Sequence, residues 1–259
     1  MHTNDSDEEA RIALVTGGAK GIGAAIGQVL AEQGLHILVS DIDEKAMTET
    51  VRELSDLGFC ANSLAMDVSS PTSIESAFKE VASTYGRCDV LVNCAGVAKV
   101  YPFVDFPLDN WLETLNINVT GTMLCGQHAA RLMIPRRWGR IINIASVAGM
   151  RAVGTGRTGY GTSKAAVLGL TRQMAVELAE YGITVNAVSP GPVDTPMTRV
   201  LHTDEFRQAY SSAIPMARYG TPSEIAAAVA FLASGPASYI TGIALPVDGG
   251  FLSSGARGI

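Results

Sequence analysis

Short apolar runs alternate along the chain with stretches whose apolar residues recur at helical spacing. The apolar runs cover residues 12–16, 36–41, 63–68, 89–93, 139–146, 183–189 and 243–247. The helical patterns between them cover residues 24–33, 44–57, 71–85, 111–137, 160–180 and 222–233. Short continuous apolar runs predict strands that are buried on both faces. Their alternation with helices predicts an α/β architecture, a doubly wound parallel sheet with helices on both faces.

The length of the chain indicates how it is divided. A chain of 259 residues without a repeat or a linker fits one domain, which we place at residues 11–259. Residues 1–10 are mostly polar and acidic, and we expect a flexible tail there. Residues 194–216 carry a few large apolar side chains among charges, which indicates a mobile flap or, alternatively, a peripheral pair of helices.

The composition argues against several classes of function. The formal net charge is −6 and no block of Lys and Arg occurs, so we expect no nucleic-acid partner. No apolar run approaches the roughly 20 residues that span a bilayer, so we expect no membrane partner. The four cysteines lack Cys-x-x-Cys spacing, which is typical of reduced thiols in a cytoplasmic protein. The four histidines are scattered, so we expect no metal site.

A glycine-rich turn joins the first strand to the first helix. Gly17, Gly21 and Gly23 have the spacing Gly-x-x-x-Gly-x-Gly, with Lys20 and Ile22 among them. Glycines at such a turn allow the backbone to approach a pyrophosphate, and the helix N-terminus supplies free N–H groups. We therefore expect the phosphates of a dinucleotide to bind at this turn.

Asp41, at the end of the second strand, indicates which dinucleotide binds. An acidic residue about 20 residues beyond the glycine turn suits a ribose hydroxyl, and its charge would repel a 2′-phosphate. This favours NAD over NADP. Lys20 points the other way, because an ammonium there would pair with a 2′-phosphate. Asp41 also has a second interpretation, as the N-cap of the helix that follows.

Tyr160 and Lys164 are four residues apart and therefore share one face of a helix. A free phenol has a pKa of about 10, and a neighbouring ammonium would lower it enough for general acid–base chemistry. The alternative is an ordinary helix with a half-buried tyrosine and a solvated lysine. Strands that end near Asp67, Asn93 and Ser146 would deliver these residues to one sheet edge, where ligands bind in such folds.

In combination, these motifs resemble the short-chain dehydrogenase/reductase family, over about residues 11–252. The resemblance rests on Thr16, Gly17, Gly21, Ile22 and Gly23, on Asn93-Cys94-Ala95-Gly96, and on Asn118, Ser146, Tyr160, Lys164, Pro190 and Gly191. It implies a Rossmann-type, seven-stranded parallel sheet and hydride transfer between a nicotinamide cofactor and an alcohol or carbonyl. It also implies a homotetramer in which the helices at residues 111–137 and 160–180 pack between subunits.

The resemblance implies roles for individual residues. Tyr160 would be the general acid/base, and Lys164 would lower its pKa and hold the nicotinamide ribose. Ser146 would hydrogen-bond the substrate oxygen. Asn118 would interrupt its helix to hold a water that links Lys164 to solvent. Cys94 stands where the family usually has a second Asn, and we expect a packing difference there without loss of activity.

The implied cofactor contacts extend along the whole sheet edge. Asp67 would meet the adenine with Val68 beside it, and the stretch from Pro190 to Thr195 would face the nicotinamide carboxamide. The full set is Gly17, Lys20, Gly21, Ile22, Gly23, Asp41, Asp67, Val68, Asn93, Ala95, Gly96, Tyr160, Lys164, Pro190, Gly191, Val193 and Thr195.

We therefore expect an NAD(P)-dependent oxidoreductase, with NAD favoured, that acts on a secondary alcohol or ketone. The segment at residues 150–159 precedes Tyr160 and carries Arg151, Thr155, Arg157 and Thr158. Such side chains indicate a small polar substrate, for example a polyol, a sugar or a hydroxy acid. Arg157 either anchors an anionic group or faces solvent as an ordinary loop arginine.

Three alternatives stay open. A 3-oxoacyl-thioester reductase would need NADPH, which Asp41 disfavours. An epimerase or dehydratase can share Tyr-x-x-x-Lys, but those enzymes resemble longer chains with a distinct C-terminal substrate domain. A cofactor-sensing protein without chemistry is disfavoured by the complete set Asn118, Ser146, Tyr160 and Lys164.

Overall fold

The computed structural model describes residues 10–254, so the expected tail lies outside the described residues apart from Ala10. The strands are β1 (Ile12–Thr16), β2 (His36–Asp41), β3 (Ala61–Ala65), β4 (Val90–Asn93), β5 (Gly139–Ile144), β6 (Ile183–Pro190) and β7 (Ala244–Val247). They form one seven-stranded sheet in the order β3-β2-β1-β4-β5-β6-β7. Every neighbouring pair is parallel, which confirms the predicted architecture.

Helices cover both faces of this sheet. They are α1 (Gly21–Glu32), α2 (Glu44–Asp56), α3 (Pro71–Tyr85), α4 (Leu108–Leu115), α5 (Thr122–Met133), α6 (Thr158–Leu178), α7 (Pro196–Leu201), α8 (Asp204–Ala213) and α9 (Pro222–Ala233). Helices α1, α2 and α9 bury apolar side chains on one face, and α3, α5 and α6 do so on the other. Within the described part of the chain, no helix is long and apolar enough to cross a membrane.

Strand β1 shows how side-chain alternation builds both cores. Ala13 and Val15 belong to the core that contains Ile26 of α1, whereas Leu14 belongs to the core that contains Ile74 of α3. All five side chains of the strand are buried. Burying one large aliphatic side chain stabilises a fold by roughly 1.5–3 kcal/mol. The sheet is therefore a well-packed base for the residues that project from its edge.

Side-chain caps fix where two helices start beside that edge. The Oδ1 atom of Asp43 accepts a hydrogen bond from the Ala46 N–H at 3.0 Å at the start of α2. The Ser70 Oγ accepts one from the Ser73 N–H at 3.3 Å at the start of α3. Each cap satisfies one N–H group that has no partner within its own helix.

Two strands end earlier along the chain than predicted. Strand β3 covers residues 61–65 instead of 63–68, because the chain turns at Asp67, whose Oδ1 accepts hydrogen bonds from both the N–H and the hydroxyl of Ser69. Strand β5 ends at Ile144 instead of residue 146. There the Ser146 Oγ accepts from the Ala148 N–H at 3.1 Å and starts a 3-10 turn.

The single long helix predicted at residues 111–137 starts at Leu108 and is divided. A π-helical turn, Asn116–Gly121, separates α4 from α5, and a 3-10 turn that includes Pro135 follows α5. The interruption expected at Asn118 is therefore present. Gly121 also brings this turn close to the end of β3, since a Cβ there would lie 2.5 Å from the Val68 carbonyl oxygen.

Residues 194–216 contain the two short helices α7 and α8, which is the second arrangement expected from the sequence. Thr195 and Thr198 form a reciprocal capping box at the start of α7. The Thr203 hydroxyl accepts from the Phe206 N–H at 3.3 Å at the start of α8. The helix pair follows β6 after the short segment at residues 191–195, whereas the mobility of residues 194–216 stays a prediction.

Candidate active site

Two adjoining cavities run along the carboxyl edge of the sheet. The larger, of about 380 Å³, borders the glycine turn and the ends of β2 and β3, and is termed the glycine-turn cleft. The smaller, of about 190 Å³, borders the end of β5, α6, α7 and α8, and is termed the tyrosine pocket. The two cavities are continuous, because both are lined by Ile22, Cys94, Gly96, Val97, Thr195 and Met197.

The glycine turn is shaped so that only glycine fits at two of its positions. Gly17 has a φ of 64°, and a Cβ on it would lie 2.8 Å from the Ala95 Cα. A Cβ on Gly23 would overlap the carbonyl oxygen of Gly17. Helix α1 starts directly after Lys20 without a side-chain cap. Its N–H groups and its positive dipole end therefore face the cleft in a way that fits a dinucleotide pyrophosphate.

Charged residues at the end of β2 border the same cleft. Asp41 Oδ1 accepts hydrogen bonds from the N–H groups of Ile42 at 2.8 Å and Asp43 at 3.2 Å. Interpreting Asp41 as the helix N-cap is wrong, because Asp43 caps α2. The Lys20 Nζ lies 2.6 Å from Asp43 Oδ2. The carboxylate of Asp43 raises the pKa of Lys20, and the ammonium of Lys20 lowers the pKa of Asp43.

The side chain of Asn93 does not line either cavity, although we expected it among the cofactor residues. It is 4% exposed, and its Nδ2 donates to Asn143 Oδ1 at 2.9 Å. Asn143 in turn donates to the Thr171 hydroxyl at 2.9 Å. Because Asn93 and Asn143 are register partners on β4 and β5, their side chains share the sheet face that packs on α5 and α6. This amide network stabilises the sheet beneath the site.

The remaining predicted cofactor residues all line one or both cavities. Asp67 and Val68 follow β3 at the far end of the glycine-turn cleft, and Gly191 follows β6 beside the tyrosine pocket. The complete set in these two cavities is Gly17, Lys20, Gly21, Ile22, Gly23, Asp41, Asp67, Val68, Ala95, Gly96, Tyr160, Lys164, Pro190, Gly191, Val193 and Thr195.

Three side chains meet at the base of the tyrosine pocket. Ser146 and Tyr160 both line this pocket, and hydrogen bonding by Ser146 lowers the pKa of the Tyr160 phenol. The Lys164 ammonium lies 5.8 Å from the centroid of the Tyr160 ring and donates to the Ile144 carbonyl oxygen at 2.7 Å. Lys164 is 5% exposed, so the alternative of a solvated lysine is wrong. Gly149 permits this packing, since a Cβ there would lie 2.6 Å from the Lys164 backbone.

Burial governs the protonation of this cluster. It raises the pKa of the Tyr160 phenol, an effect that the hydrogen bond from Ser146 and the charge of Arg157 partly offset. It lowers the pKa of Lys164 to about 8. We expected Lys164 to lower the pKa of Tyr160. In the protein without a bound cofactor, this pKa is instead raised, because desolvation outweighs the neighbouring charges.

Asn118 connects the loop after β4 to the helix that carries Tyr160. Its Oδ1 accepts from the Val97 N–H at 2.9 Å, and its Nδ2 donates to the Val97 carbonyl at 3.0 Å and to Ser163 Oγ at 2.9 Å. The side chain is 1% exposed and lines neither cavity. Its position indicates that it aligns α6 with the sheet edge, and the expected contact with a water stays a prediction.

Several lining residues of the tyrosine pocket were missed from the sequence. Phe206 and Tyr210 of α8 line it together with His202, which had appeared only as one scattered histidine. Its Nε2 lies 3.1 Å from Arg157 Nη2, a residue 45 positions away, so no local pattern marks the pair. Arg157 is half-buried and lines the pocket, so the solvent-facing interpretation of this arginine is wrong.

Cys94, the one departure from the expected motif, lies where the two cavities meet. Burial raises the pKa of its thiol to about 11, so the thiol is neutral at physiological pH. It acts there as a small apolar wall residue. Among residues 10–254, no group of His, Cys, Asp and Glu side chains has the geometry to hold a metal ion.

Known proteins resemble this chain over nearly its whole length. A family model described as Enoyl-(Acyl carrier protein) reductase matches residues 17–252. A 3-oxoacyl-[acyl-carrier-protein] reductase FabG of Aquifex aeolicus is 40% identical over 243 residues, which are 93% of this chain and 97% of that protein. The cis-4-hydroxycyclohexanecarboxylate dehydrogenase of Sinomonas cyclohexanicum is also 40% identical over 243 residues, 93% of this chain and 96% of that one. The crystal structure of gox2181 superimposes with a TM-score of 0.93 and 36% identity, covering 95% of this chain and 97% of that one.

The parallel sheet, the glycine turn, and Tyr160 one turn from the buried Lys164 define an oxidoreductase class that uses a nicotinamide cofactor. The chain belongs to the short-chain dehydrogenase/reductase family. It is an oxidoreductase that acts on CH–OH or carbonyl groups.

Proposed function

We propose that the protein is an NAD-dependent enzyme that interconverts a secondary alcohol and its ketone at Tyr160. The observation that carries the proposal is that Ser146, Tyr160 and Lys164 line one pocket, the tyrosine pocket, which adjoins the glycine-turn cleft. A substrate oxygen that contacts both hydroxyls would lie beside the space that continues into the glycine-turn cleft. The reacting carbon is then next to the position where a dinucleotide on that cleft would place its nicotinamide.

The proton step in this proposal uses the residues at the base of the pocket. In alcohol oxidation, the Tyr160 oxygen accepts the hydroxyl proton while the C–H hydrogen leaves with its electron pair. The bound nicotinamide would accept that hydrogen, and its positive charge would favour the phenolate. Ser146 orients the substrate oxygen, and Lys164 carries the nearest ammonium. In the reverse direction, the Tyr160 phenol donates the same proton to the ketone oxygen.

The preference for NAD is supported by charges on the glycine-turn cleft. Asp41 lines the glycine-turn cleft at the end of β2, and its carboxylate would repel the 2′-phosphate of a dinucleotide bound there. Lys20, which argued for NADP, forms an ion pair with Asp43 instead. The cation that would otherwise attract a 2′-phosphate is therefore neutralised by a neighbour.

For the substrate we propose a small polar alcohol or ketone, such as a polyol, a sugar or a hydroxy acid. The tyrosine pocket of about 190 Å³ is small for a ligand site, which supports a compact substrate. A second candidate is a 3-oxoacyl-thioester reductase, favoured by the 40% identity to the Aquifex aeolicus protein of that name. The Sinomonas cyclohexanicum relative, also 40% identical, is named for a hydroxy acid, which supports the first candidate, whereas further relatives carry the reductase name.

We also propose that the protein is a cytoplasmic homotetramer. All four cysteines are unpaired, which suits a reducing compartment. Leu112 on α4 and Val176 on α6 are 53% and 77% exposed, on the two helical regions that the family resemblance places between subunits. Exposed apolar side chains on neighbouring helices are typical of a surface that packs against another copy. Size determination by light scattering tests this; a monomer would contradict it.

The experiment for the main proposal is a substrate panel monitored by the absorbance of the reduced cofactor. It contains polyols, sugars, hydroxy acids, their oxo forms and a 3-oxoacyl thioester, each offered with both nicotinamide dinucleotides. We expect turnover of at least one compact alcohol, with NAD preferred in kcat/KM. Turnover restricted to the thioester with NADPH would establish the second candidate instead. Dinucleotide binding without any turnover would favour a cofactor-sensing protein.

A further inference from the structure

One guanidinium on the wall of the tyrosine pocket has no acidic partner. Arg157 immediately precedes α6 and lies three residues before Tyr160. It is half-buried, and no Asp or Glu of residues 10–254 forms an ion pair with it. A nearby carboxylate, Asp194, is already paired with Arg199 and Arg207. An uncompensated, partly desolvated cation is unfavourable unless an anion binds to it.

Two neighbouring side chains orient this guanidinium. Arg157 Nη2 donates to His202 Nε2 at 3.1 Å, and His202 Nδ1 lies 3.0 Å from the Tyr219 hydroxyl. A guanidinium is a donor only, so His202 Nε2 must accept and Nδ1 must carry the hydrogen that goes to Tyr219. His202 is therefore neutral. Burial and the positive charges of Arg157 and Arg207 lower the pKa of His202, which is consistent with a neutral imidazole.

The rest of the pocket wall is largely apolar on this side. Val147, Val153, Met197 and Phe206 line it between the Ser146–Tyr160 pair and the two short helices. A ligand that fits this pocket has a hydrocarbon part that packs on the apolar wall and one anionic group that binds Arg157. A carboxylate suits one planar guanidinium, which binds it through two parallel hydrogen bonds. A phosphate would bring up to two negative charges to a pocket whose other cation, Lys164, is buried and donates to the Ile144 carbonyl oxygen.

We propose that the substrate is a hydroxy monocarboxylate, or its oxo form, whose carboxylate binds Arg157 while its hydroxyl lies between Ser146 and Tyr160. The inference rests on the proposed dehydrogenase function and specifies its substrate class. Arg157 precedes α6, which carries Tyr160, and both side chains line the tyrosine pocket of about 190 Å³. The carboxylate and the reacting carbon are accordingly held in the same small pocket, which suits a compact acid. His202 and Tyr219 act as positioning residues for Arg157.

The test compares hydroxy acids with their primary carboxamides, which have nearly the same size but no charge. The series carries the hydroxyl at carbon 3 or 4 of unbranched and ring-containing acids. We expect the wild-type kcat/KM to favour at least one acid over its amide by about tenfold or more, because a charge-assisted hydrogen bond is strong. In Arg157→Met this preference is expected to disappear through KM, whereas Arg157→Lys is expected to retain part of it.

A matched control removes an arginine charge beside the pocket but not on its wall. Arg151 is exposed, stacks on the Phe251 ring at 4.9 Å and does not line the tyrosine pocket. Arg151→Met is expected to keep the preference for the acid. Tyr219→Phe, which removes the hydroxyl next to His202, is expected to raise KM for the acid and not for the amide. The charge of Arg157 also lowers the pKa of Tyr160. The amide carries no charge to bind Arg157, so comparing the pH profile of kcat for the amide between wild type and Arg157→Met measures that effect separately.

The outcomes separate this inference from the function on which it rests. If the wild-type enzyme turns over neutral alcohols but shows no preference for any acid over its amide, the substrate class is wrong and the dehydrogenase proposal survives. The same conclusion follows if Arg157→Met binds NAD, unfolds at the wild-type temperature and keeps the full preference. If no compound is turned over with either dinucleotide, both proposals are overturned.

Discussion

The Lys20 ammonium and the Asp43 carboxylate lie 2.6 Å apart at the mouth of the glycine-turn cleft. Both side chains are substantially exposed, so the pair contributes little to folding stability. The pair instead affects cofactor recognition, because the Lys20 ammonium is already bound to Asp43 and is not available to a ligand at the end of β2. Asp43 also caps α2, so the helix start holds the ion pair in place.

Releasing Lys20 and removing the Asp41 charge should change the cofactor preference. We expect Asp41→Asn combined with Asp43→Asn to raise kcat/KM for NADP by roughly tenfold or more, since a charge-assisted hydrogen bond to phosphate contributes about 1.5–3 kcal/mol. Asparagine at position 43 keeps the helix cap. Steady-state kinetics with both dinucleotides measures the effect.

The control for this prediction adds Lys20→Met to the double variant. If Lys20 binds the 2′-phosphate, the third change should abolish most of the gain. A wild-type enzyme that already prefers NADP in kcat/KM would show that the charges at the end of β2 do not set the preference.

Tyr160→Phe should abolish turnover while retaining the dinucleotide. The substitution removes only the phenolic hydroxyl of a residue that lines the tyrosine pocket, and proton transfer by a positioned side chain contributes about 10²–10⁴-fold. We expect kcat to fall by at least about 100-fold and the NAD dissociation constant to change by less than about threefold. The control is Tyr101→Phe, since Tyr101 lines neither cavity. Near-normal kcat in the Tyr160→Phe enzyme would refute the assignment of the acid/base.

Two glycines one turn apart on α1 allow a matched test of the glycine turn. A Cβ on Gly23 overlaps the Gly17 carbonyl, whereas a Cβ on Gly27 makes an ordinary 3.5 Å contact with Ile37. We expect Gly23→Ala to weaken NAD binding by at least about tenfold, because the turn must shift away from the phosphates. Gly27→Ala should bind NAD normally, and the greater helix propensity of alanine should preserve or raise stability. Calorimetric titration measures both, and equal affinities would contradict the proposed phosphate site.

Burial of the Lys164 ammonium should lower the free energy of unfolding at neutral pH. Its pKa in the folded protein is about 8, below the usual value of 10.5, so the unfolded state binds more protons between these pH values. The penalty is complete below pH 8 and disappears as the pH rises towards 10.5. Lys164→Met should therefore raise the free energy of unfolding at pH 7 by on the order of 1–2 kcal/mol, after allowing for the lost bond to Ile144. The advantage should shrink as the pH approaches about 10.

Urea denaturation of both proteins between about pH 7 and pH 10 measures that difference. Lys79→Met is a suitable control, because Lys79 is 74% exposed and pairs with Glu75 one turn away. It should change the free energy of unfolding by less than about 0.5 kcal/mol, with no such trend. A Lys164→Met enzyme that is less stable than wild type at neutral pH would contradict the prediction. It would mean that the hydrogen bonds of the buried ammonium outweigh its loss of hydration.

The arrangement of strands and helices followed from local patterns. Strand β1 and helix α1 lie where the apolar run and the glycine turn predicted them, because periodicity and glycine are local signals. Element ends were less predictable. The end of β3 depends on hydrogen bonds that Asp67 accepts from Ser69, and the division of the long helix depends on the loop that Asn118 holds.

Within the site, the sequence indicated which residues converge on the sheet edge but not how each is oriented. Asn93 carries an expected motif, yet its amide faces Asn143 on the next strand, which only the sheet register reveals. The partners of Arg157 are similarly remote in sequence. His202 is 45 residues away, and Tyr219 lies 17 residues beyond His202.

The sequence by itself determined the sheet, the glycine turn and the one-turn spacing of Tyr160 and Lys164, because each depends on residues close along the chain. The tertiary structure decided how much water surrounds these groups and which distant side chains they meet. It buries Lys164, partly buries Tyr160, and pairs Lys20 with Asp43. Desolvation and long-range pairing arise only when separate elements pack together, and so no local pattern contains them.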